Sequence, residues 1–191
     1  MDFTAERREE LRQLIVAKGL RRGMPVQLVG GTTSPFYFDL RSIVMHGPSM
    51  PLVGAAYQSL LEDPRFSPTF QVGGPATGAI APATLLAFHR TTALDFPTNA
   101  FYTRTEAKAH GLQNTLEGFT SGQPVVLIED VTTSGNSLLK SAAVVRTQRV
   151  SILGALSLID RGAGAKEALA RAGIPLQSVF TLDDFTDHLP S

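Results

Sequence analysis

One stretch of this 191-residue sequence leaves few folds open: Val125-Val126-Leu127-Ile128-Glu129-Asp130-Val131-Thr132-Thr133-Ser134-Gly135-Asn136-Ser137-Leu138-Leu139. Its apolar run, Val125 to Ile128, makes a buried strand. Two carboxylates follow at the carboxyl end, where α/β sheets place their ligands, and a hydroxyl-rich turn with one glycine then leads into a helix. Backbone N–H groups at a helix start, supplemented by Thr and Ser hydroxyls, bind a phosphate monoester without any net positive charge. Glu129 and Asp130 would repel that phosphate, so they are expected to accept hydrogen bonds from neutral hydroxyls nearby. A ribose 5-phosphate carries that combination. The plainer reading is a charged turn with Ser134 or Asn136 as the helix N-cap. Against it stands the acidic pair, because adjacent carboxylates destabilise a strand end by mutual repulsion unless a ligand or cation uses them.

The rest of the chain supplies a setting for such a site. Thr4 is a plausible N-cap for an amphipathic helix that carries Leu11, Leu14 and Ile15 and ends at Gly19, which suits the left-handed residue after a helix. Val26 to Val29 and Phe36 to Leu40 read as a hairpin around Gly30-Gly31-Thr32-Thr33-Ser34-Pro35. Beyond it the pattern predicts a helix over about 49–62, a strand over 70–73, a helix over 77–89 and strands over 99–103 and 124–129. A helix over 136–147, a strand over 150–159, a short helix over 164–172 and a strand over 176–181 complete the series. This alternation indicates an α/β fold with a central parallel sheet flanked by helices. Arg104 to Gly118 breaks the rhythm as a polar stretch between two strands, and connections of that length are often functional.

Composition removes several classes of function. The chain has 17 Lys+Arg against 17 Asp+Glu, so it lacks the basic excess that phosphate-led nucleic-acid binding needs, and any anion site must be local. It has no cysteine, which excludes disulfides, thiolate nucleophiles and Cys-ligated metals. No run reaches the length of a membrane span and the N-terminal residues are charged, so a cytoplasmic protein is expected. His46, His89 and His188 are scattered and suggest no metal cluster. Gly162-Ala163-Gly164 begins like a dinucleotide fingerprint but lacks its third glycine.

The segment around Glu129-Asp130 resembles the phosphoribosyl-pyrophosphate (PRPP) motif of type I phosphoribosyltransferases, and its neighbours resemble the orotate phosphoribosyltransferases among them. Thr33-Ser34-Pro35-Phe36-Tyr37-Phe38-Asp39-Leu40-Arg41 is similar to the family's Ser-Pro-aromatic strand, Gly73-Gly74-Pro75-Ala76-Thr77-Gly78 to its pyrophosphate loop, Arg104 to Gly118 to its mobile catalytic loop, and Leu158-Ile159-Asp160-Arg161 to its strand ending in Asp-Arg. The resemblance implies a type I phosphoribosyltransferase fold in one domain, with a small N-terminal hood over about residues 1–40 and a core over about 41–191. It also implies transfer of ribose 5-phosphate from PRPP to N1 of orotate, giving orotidine 5'-monophosphate and pyrophosphate, with Mg²⁺ held mainly by PRPP. The expected partners are PRPP, orotate and a second copy of the chain whose mobile loop enters the neighbouring site, with neither nucleic acid nor membrane involved.

Residue by residue, the resemblance implies that Thr132, Thr133, Ser134, Gly135, Asn136 and Ser137 cradle the 5'-phosphate, while Glu129 and Asp130 hold the ribose hydroxyls and favour positive charge on the sugar. Thr77, Arg104, Lys108 and His110 are expected on PRPP, the last three as cations for the departing pyrophosphate. Arg161 is expected on the orotate carboxylate, with Thr133 touching the base and Phe38 walling it. The chain departs from the pattern at Val29 and Thr105, where the family commonly has lysines, and Thr77 stands where some members have Lys. Fewer cations would face phosphate, so a sensor that binds PRPP without turnover, or a transferase for another base, is a competing expectation.

Overall fold

The computed structural model describes residues 2–27, 33–66, 68–104 and 115–189, with the side chains of 24–27 left aside. The sheet at its centre has the order β5-β4-β3-β6-β7-β8, built from β3 (Gln71–Pro75), β4 (Ala100–Thr103), β5 (Leu116–Glu117), β6 (Val125–Thr132), β7 (Ile152–Asp160) and β8 (Leu176–Thr181). All neighbours run parallel except the β4/β5 pair. Val125 to Ile128 are wholly buried, the continuous apolar pattern of a strand covered on both faces. The helices α3 (Met50–Ser59), α4 (Ile80–Ala93), α5 (Asn136–Arg146) and α6 (Ala165–Arg171) alternate with these strands.

The order of the strands locates the ligand crevice. From β3 the chain crosses through α4 to β4 on one side, whereas from β6 it crosses through α5 to β7 on the other. Adjacent strands whose connections diverge in this way open a crevice beyond their carboxyl ends. Pairing between β3 and β6 stops at Gly73↔Leu127, while β6 continues against β7 as far as Thr132↔Asp160. The last five residues of β6 therefore stand beside the departing 74–78 segment. A side chain at Gly74 would collide with the Ile128 carbonyl oxygen, so glycine there permits the approach.

The N-terminal part is α1 (Ala5–Leu14), a π-helical turn over Ile15–Gly19, and an antiparallel hairpin of β1 (Leu20–Gln27) and β2 (Thr33–Phe38), followed by the short α2 (Arg41–Val44). Thr4 caps α1 as expected, accepting the Arg7 N–H at 3.4 Å. Gly19 is not left-handed. The chain passes straight into β1, and glycine is suited there because a Cβ would press on Ile43 at 3.3 Å. Leu11, Ile15, Phe36 and Phe38 share one apolar cluster with Tyr57, Leu156, Phe180 and Phe185 of the rest of the chain.

Two further differences from the sequence reading concern boundaries. β6 runs to Thr132, so Asp130 to Thr132 also lie within the strand and not after it, because β7 extends its ladder. The 104–118 stretch contributes an edge strand, Leu116–Glu117, paired with Tyr102 and Thr103, an arrangement that only tertiary pairing defines. The C-terminal turn Leu182–His188 is a 3₁₀ helix whose Phe185 is fully buried against Phe38 and Phe180, and Asp184 ties it to Arg8 of α1 at 2.7 Å.

Candidate active site

Glu129 and Asp130 stand together in the crevice. Oε1 of Glu129 and Oδ1 of Asp130 would each lie 2.9 Å from a Cβ built on Gly78, so the 74–78 segment rests directly on both carboxylates and a side chain there would have to push them aside. Beneath them Tyr57 of α3, itself fully buried, donates its hydroxyl to the Glu129 carbonyl oxygen at 2.8 Å and anchors the strand. Asp130 Oδ1 accepts the Val131 N–H at 2.7 Å. Among the described residues no cation forms an ion pair with either carboxylate.

Burial and the neighbouring charge of Asp130 push the Glu129 carboxyl well above its ordinary pKa. Burial raises Asp130 as well, offset in part by the Val131 N–H and by the charge of Arg41, which Asp39, its ion-pair partner at 2.8 Å, opposes. Such a pair accepts hydrogen bonds from neutral hydroxyls and gains by any positive charge placed beside it. Arg41 carries no signal in the sequence that marks it as a neighbour of Asp130.

The turn that follows is open. Gly135 adopts φ 77° and caps α5 with no side-chain hydrogen bond, so neither Ser134 nor Asn136 serves as the cap. A Cβ on Gly135 would meet Ala165 of α6 at 3.3 Å, which fixes the turn from behind. Thr133 is half-buried, while Ser134, Asn136 and Ser137 are exposed around the first N–H groups of α5. Those N–H groups lack intrahelical acceptors by construction and are free for an anion. Thr132 differs from its neighbours. Its side chain is buried between strands, 3.2 Å from Asp160 Oδ1 and 3.3 Å from Ser157 Oγ, because β6 is still paired at that point. Its hydroxyl does not belong to the cup.

On the other rim, Arg161 reaches from the end of β7 to the hairpin. Its guanidinium donates to Ser34 Oγ at 3.1 Å and lies 4.8 Å over the Phe36 ring, and partial burial lowers its pKa. It forms no ion pair with Asp160 or Glu167 among the described residues. The expectation that Phe38 walls the base needs correction. Phe38 is 3% exposed and packs on Phe185 at 5.1 Å, so Phe36, two residues earlier on the same strand face, is the aromatic beside Arg161. The hydroxyl of Ser34 and the Phe36 ring lay within the quoted Ser-Pro-aromatic segment, but period-two alternation cannot say which of its inward residues meets the crevice.

The remaining candidates divide. Thr77 is exposed at the tip of the 74–78 segment, just after a cis Ala76–Thr77 peptide bond. Arg104 lies at the end of β4 with its Nη2 on the Tyr102 hydroxyl at 2.9 Å and its Nε 3.6 Å from Glu117, and its buried Nε has no hydrogen-bond partner among the described residues. Lys108, His110, Val29 and Thr105 lie outside the described residues. The structure thus brings together Glu129, Asp130, Thr133 to Ser137 and the 74–78 segment at one crevice, with Arg161 and Phe36 bridging β7 and the hairpin.

Comparison with known proteins agrees with this geometry. The model of the phosphoribosyl transferase domain matches residues 49–178. An orotate phosphoribosyltransferase of Corynebacterium glutamicum is 35% identical over 183 residues, 95% of each chain. The solved structure of Mycobacterium tuberculosis orotate phosphoribosyltransferase in complex with 5-phospho-α-D-ribosyl 1-diphosphate is 30% identical, with a TM-score of 0.76 over 93% of this chain and 98% of that one. That of orotate phosphoribosyltransferase from Aeropyrum pernix is also 30% identical, with a TM-score of 0.75 over 93% and 97%. A crevice at the divergence of β3 and β6, lined by an acidic pair and an open helix start, thus sits in a chain that matches these relatives along almost its whole length, and the chain belongs to the phosphoribosyl transferase domain family, among its orotate phosphoribosyltransferases.

Proposed function

We propose that this chain transfers the 5-phosphoribosyl group of PRPP to N1 of orotate, forming orotidine 5'-monophosphate and pyrophosphate in pyrimidine biosynthesis, as a cytoplasmic homodimer. The observation that carries the reading is the acidic pair, without an ion-pair partner among the described residues, set directly before an open turn of backbone donors. In the reaction the bond from C1 of the ribose to the pyrophosphate oxygen breaks as the bond to orotate N1 forms, the N1 proton passes to solvent or the released pyrophosphate, and positive charge develops on the sugar in the transition state. Buried carboxylates that favour nearby positive charge stabilise that state more than the neutral ground state, which is the requirement for catalysis.

Each group then has a place. The N–H groups at the start of α5, with the hydroxyls of Thr133, Ser134 and Ser137 and the amide of Asn136, hold the 5'-phosphate. Glu129 and Asp130 accept the ribose hydroxyls. The 74–78 segment with Thr77, and Arg104, Lys108 and His110, face the pyrophosphate. Arg161, held over the Phe36 ring at 4.8 Å, offers its remaining N–H groups to the orotate carboxylate, with Thr133 near the base. Residues 1–40 form the hood that closes the base side of the crevice.

The site also suits Mg²⁺. Two adjacent hard oxygen donors, with no ion-pair partner among the described residues, fit an ion that takes one or two carboxylates and keeps waters and phosphate oxygens for the rest. PRPP's own oxygens would hold it mainly, with Glu129 and Asp130 as the protein oxygens beside it, and when bound it supplies neutralisation of the leaving pyrophosphate. Among the described residues, no helix is long and apolar enough to cross a membrane.

The test is direct. Purified protein with PRPP and Mg²⁺ is expected to deplete orotate absorbance and form orotidine 5'-monophosphate; binding of PRPP without product would favour a sensor. Mixing Lys108→Ala with Asp130→Asn is expected to restore part of the activity if sites are shared between subunits, and no restoration would remove the shared-loop reading.

A further inference from the structure

Arg161 can act on a base only if its backbone is held in register with the phosphate turn, and the residue that does this is Asp160. The Asp160 carboxylate takes two bonds through one oxygen: the Gly162 N–H at 3.1 Å and the Thr132 hydroxyl at 3.2 Å. The Thr132 hydroxyl also lies 3.3 Å from Ser157 Oγ and 3.4 Å from the Ile159 carbonyl, but it carries a single proton, and the charged and nearest acceptor is the carboxylate. The Arg161 N–H completes the link by donating to the Thr132 carbonyl at 3.0 Å. Asp160 and Thr132 are register partners on adjacent parallel strands, and Ser157 continues the polar line to Ser178 of β8 at 2.8 Å.

The turn that projects Arg161 is therefore fastened to Thr132, immediately before the phosphate cup, through the Asp160 side chain and the Arg161 N–H, and is closed on Asp160 by the Gly162 N–H. An acidic residue next to an arginine would ordinarily be read as its ion-pair partner. Here the Asp160 side chain is committed to the backbone and to Thr132, and Arg161 is left to turn toward Ser34 and Phe36.

We infer that Asp160 is a positioning residue for base specificity: through Thr132 and Gly162 it holds Arg161 at a fixed distance from the 5'-phosphate turn. The inference rests on the reading of Arg161 as the group that binds the orotate carboxylate. Losing the peg displaces the guanidinium relative to the sugar without removing any group that touches PRPP.

The experiment is steady-state kinetics on Asp160→Ala, Asp160→Asn and Arg161→Ala, with KM measured separately for orotate and PRPP. Asp160→Ala is expected to raise KM for orotate by about tenfold or more, with KM for PRPP held within about twofold, the signature of misplaced binding of one substrate. Asp160→Asn keeps the accepting oxygen and is expected to stay within about threefold of the parent. If Arg161→Ala raises KM for orotate while Asp160→Ala leaves it unchanged, or raises both KM values alike, the positioning role is overturned and the reading of Arg161 stands. If Arg161→Ala itself leaves KM for orotate unchanged, both fall. Should Asp160→Ala not fold, Thr132→Val removes the same bond from the other side and must raise KM for orotate in the same direction; an unchanged value overturns the inference.

Discussion

Replacing Glu129 by glutamine should make the ligand-free protein more stable while it abolishes most of the activity. The carboxylate oxygens of Glu129 and Asp130 would each lie 2.9 Å from one point, the Cβ position at Gly78. They are thus no more than about 6 Å apart, and two unit charges at that separation repel by about 3 kcal/mol at an effective dielectric constant near 20. Asp130 is only half-buried and Arg41 offsets part of its charge, so a net gain of about 2 kcal/mol is the reasonable expectation. For a chain of this size that corresponds to a rise in Tm of about 4–8 °C.

The pH dependence gives the prediction its sign. Folding raises both carboxyl pKa values, so between the ordinary carboxylate range and the raised values the native state retains protons that the unfolded chain has released. Wild-type stability therefore falls as pH rises through that window. The amide of the Glu129→Gln variant has no proton to lose, so its advantage is close to zero below the ordinary carboxylate range and grows toward about pH 9. Urea or thermal unfolding of both proteins without ligand, from about pH 4 to 9, measures this. PRPP with Mg²⁺ should then raise the Tm of the parent and not of the variant. A variant that is less stable than the parent at the alkaline end, or whose advantage does not grow with pH, would refute the claim that the acidic pair is held for a ligand at a cost to the fold.

Two further substitutions probe the supports of the pair. Gly78→Ala puts a methyl group against both carboxylates at 2.9 Å; a displacement of the 74–78 segment by about 1 Å is expected to lower kcat/KM for PRPP by about 100-fold, read by initial rates, while circular dichroism stays unchanged. Tyr57→Phe leaves the buried Glu129 carbonyl without its donor and is expected to cost about 1–3 kcal/mol in urea unfolding, with a fall in kcat because the strand that carries the acidic pair loses its anchor.

Residue order alone sets the local machinery: a buried strand, two acids, a turn with one glycine and a helix start, each governed by interactions within a few residues. Period-two alternation likewise places Phe36 and Phe38 on one face of a strand. Long-range packing settles which of those buried rings meets Arg161: Phe185 from the C-terminal turn packs on Phe38, while the Arg161 guanidinium lies over Phe36. It also withdraws the Thr132 hydroxyl from the phosphate cup, because the β7 ladder reaches further along β6 than an apolar run can announce. The small strand at Leu116–Glu117, the seating of Gly78 on the carboxylates and the approach of Arg41 to Asp130 are likewise long-range facts. Residue type and spacing encode what a segment does to itself. Which neighbours it meets depends on strand order and on competition among distant side chains for the same space, and that is resolved only when the sheet is assembled.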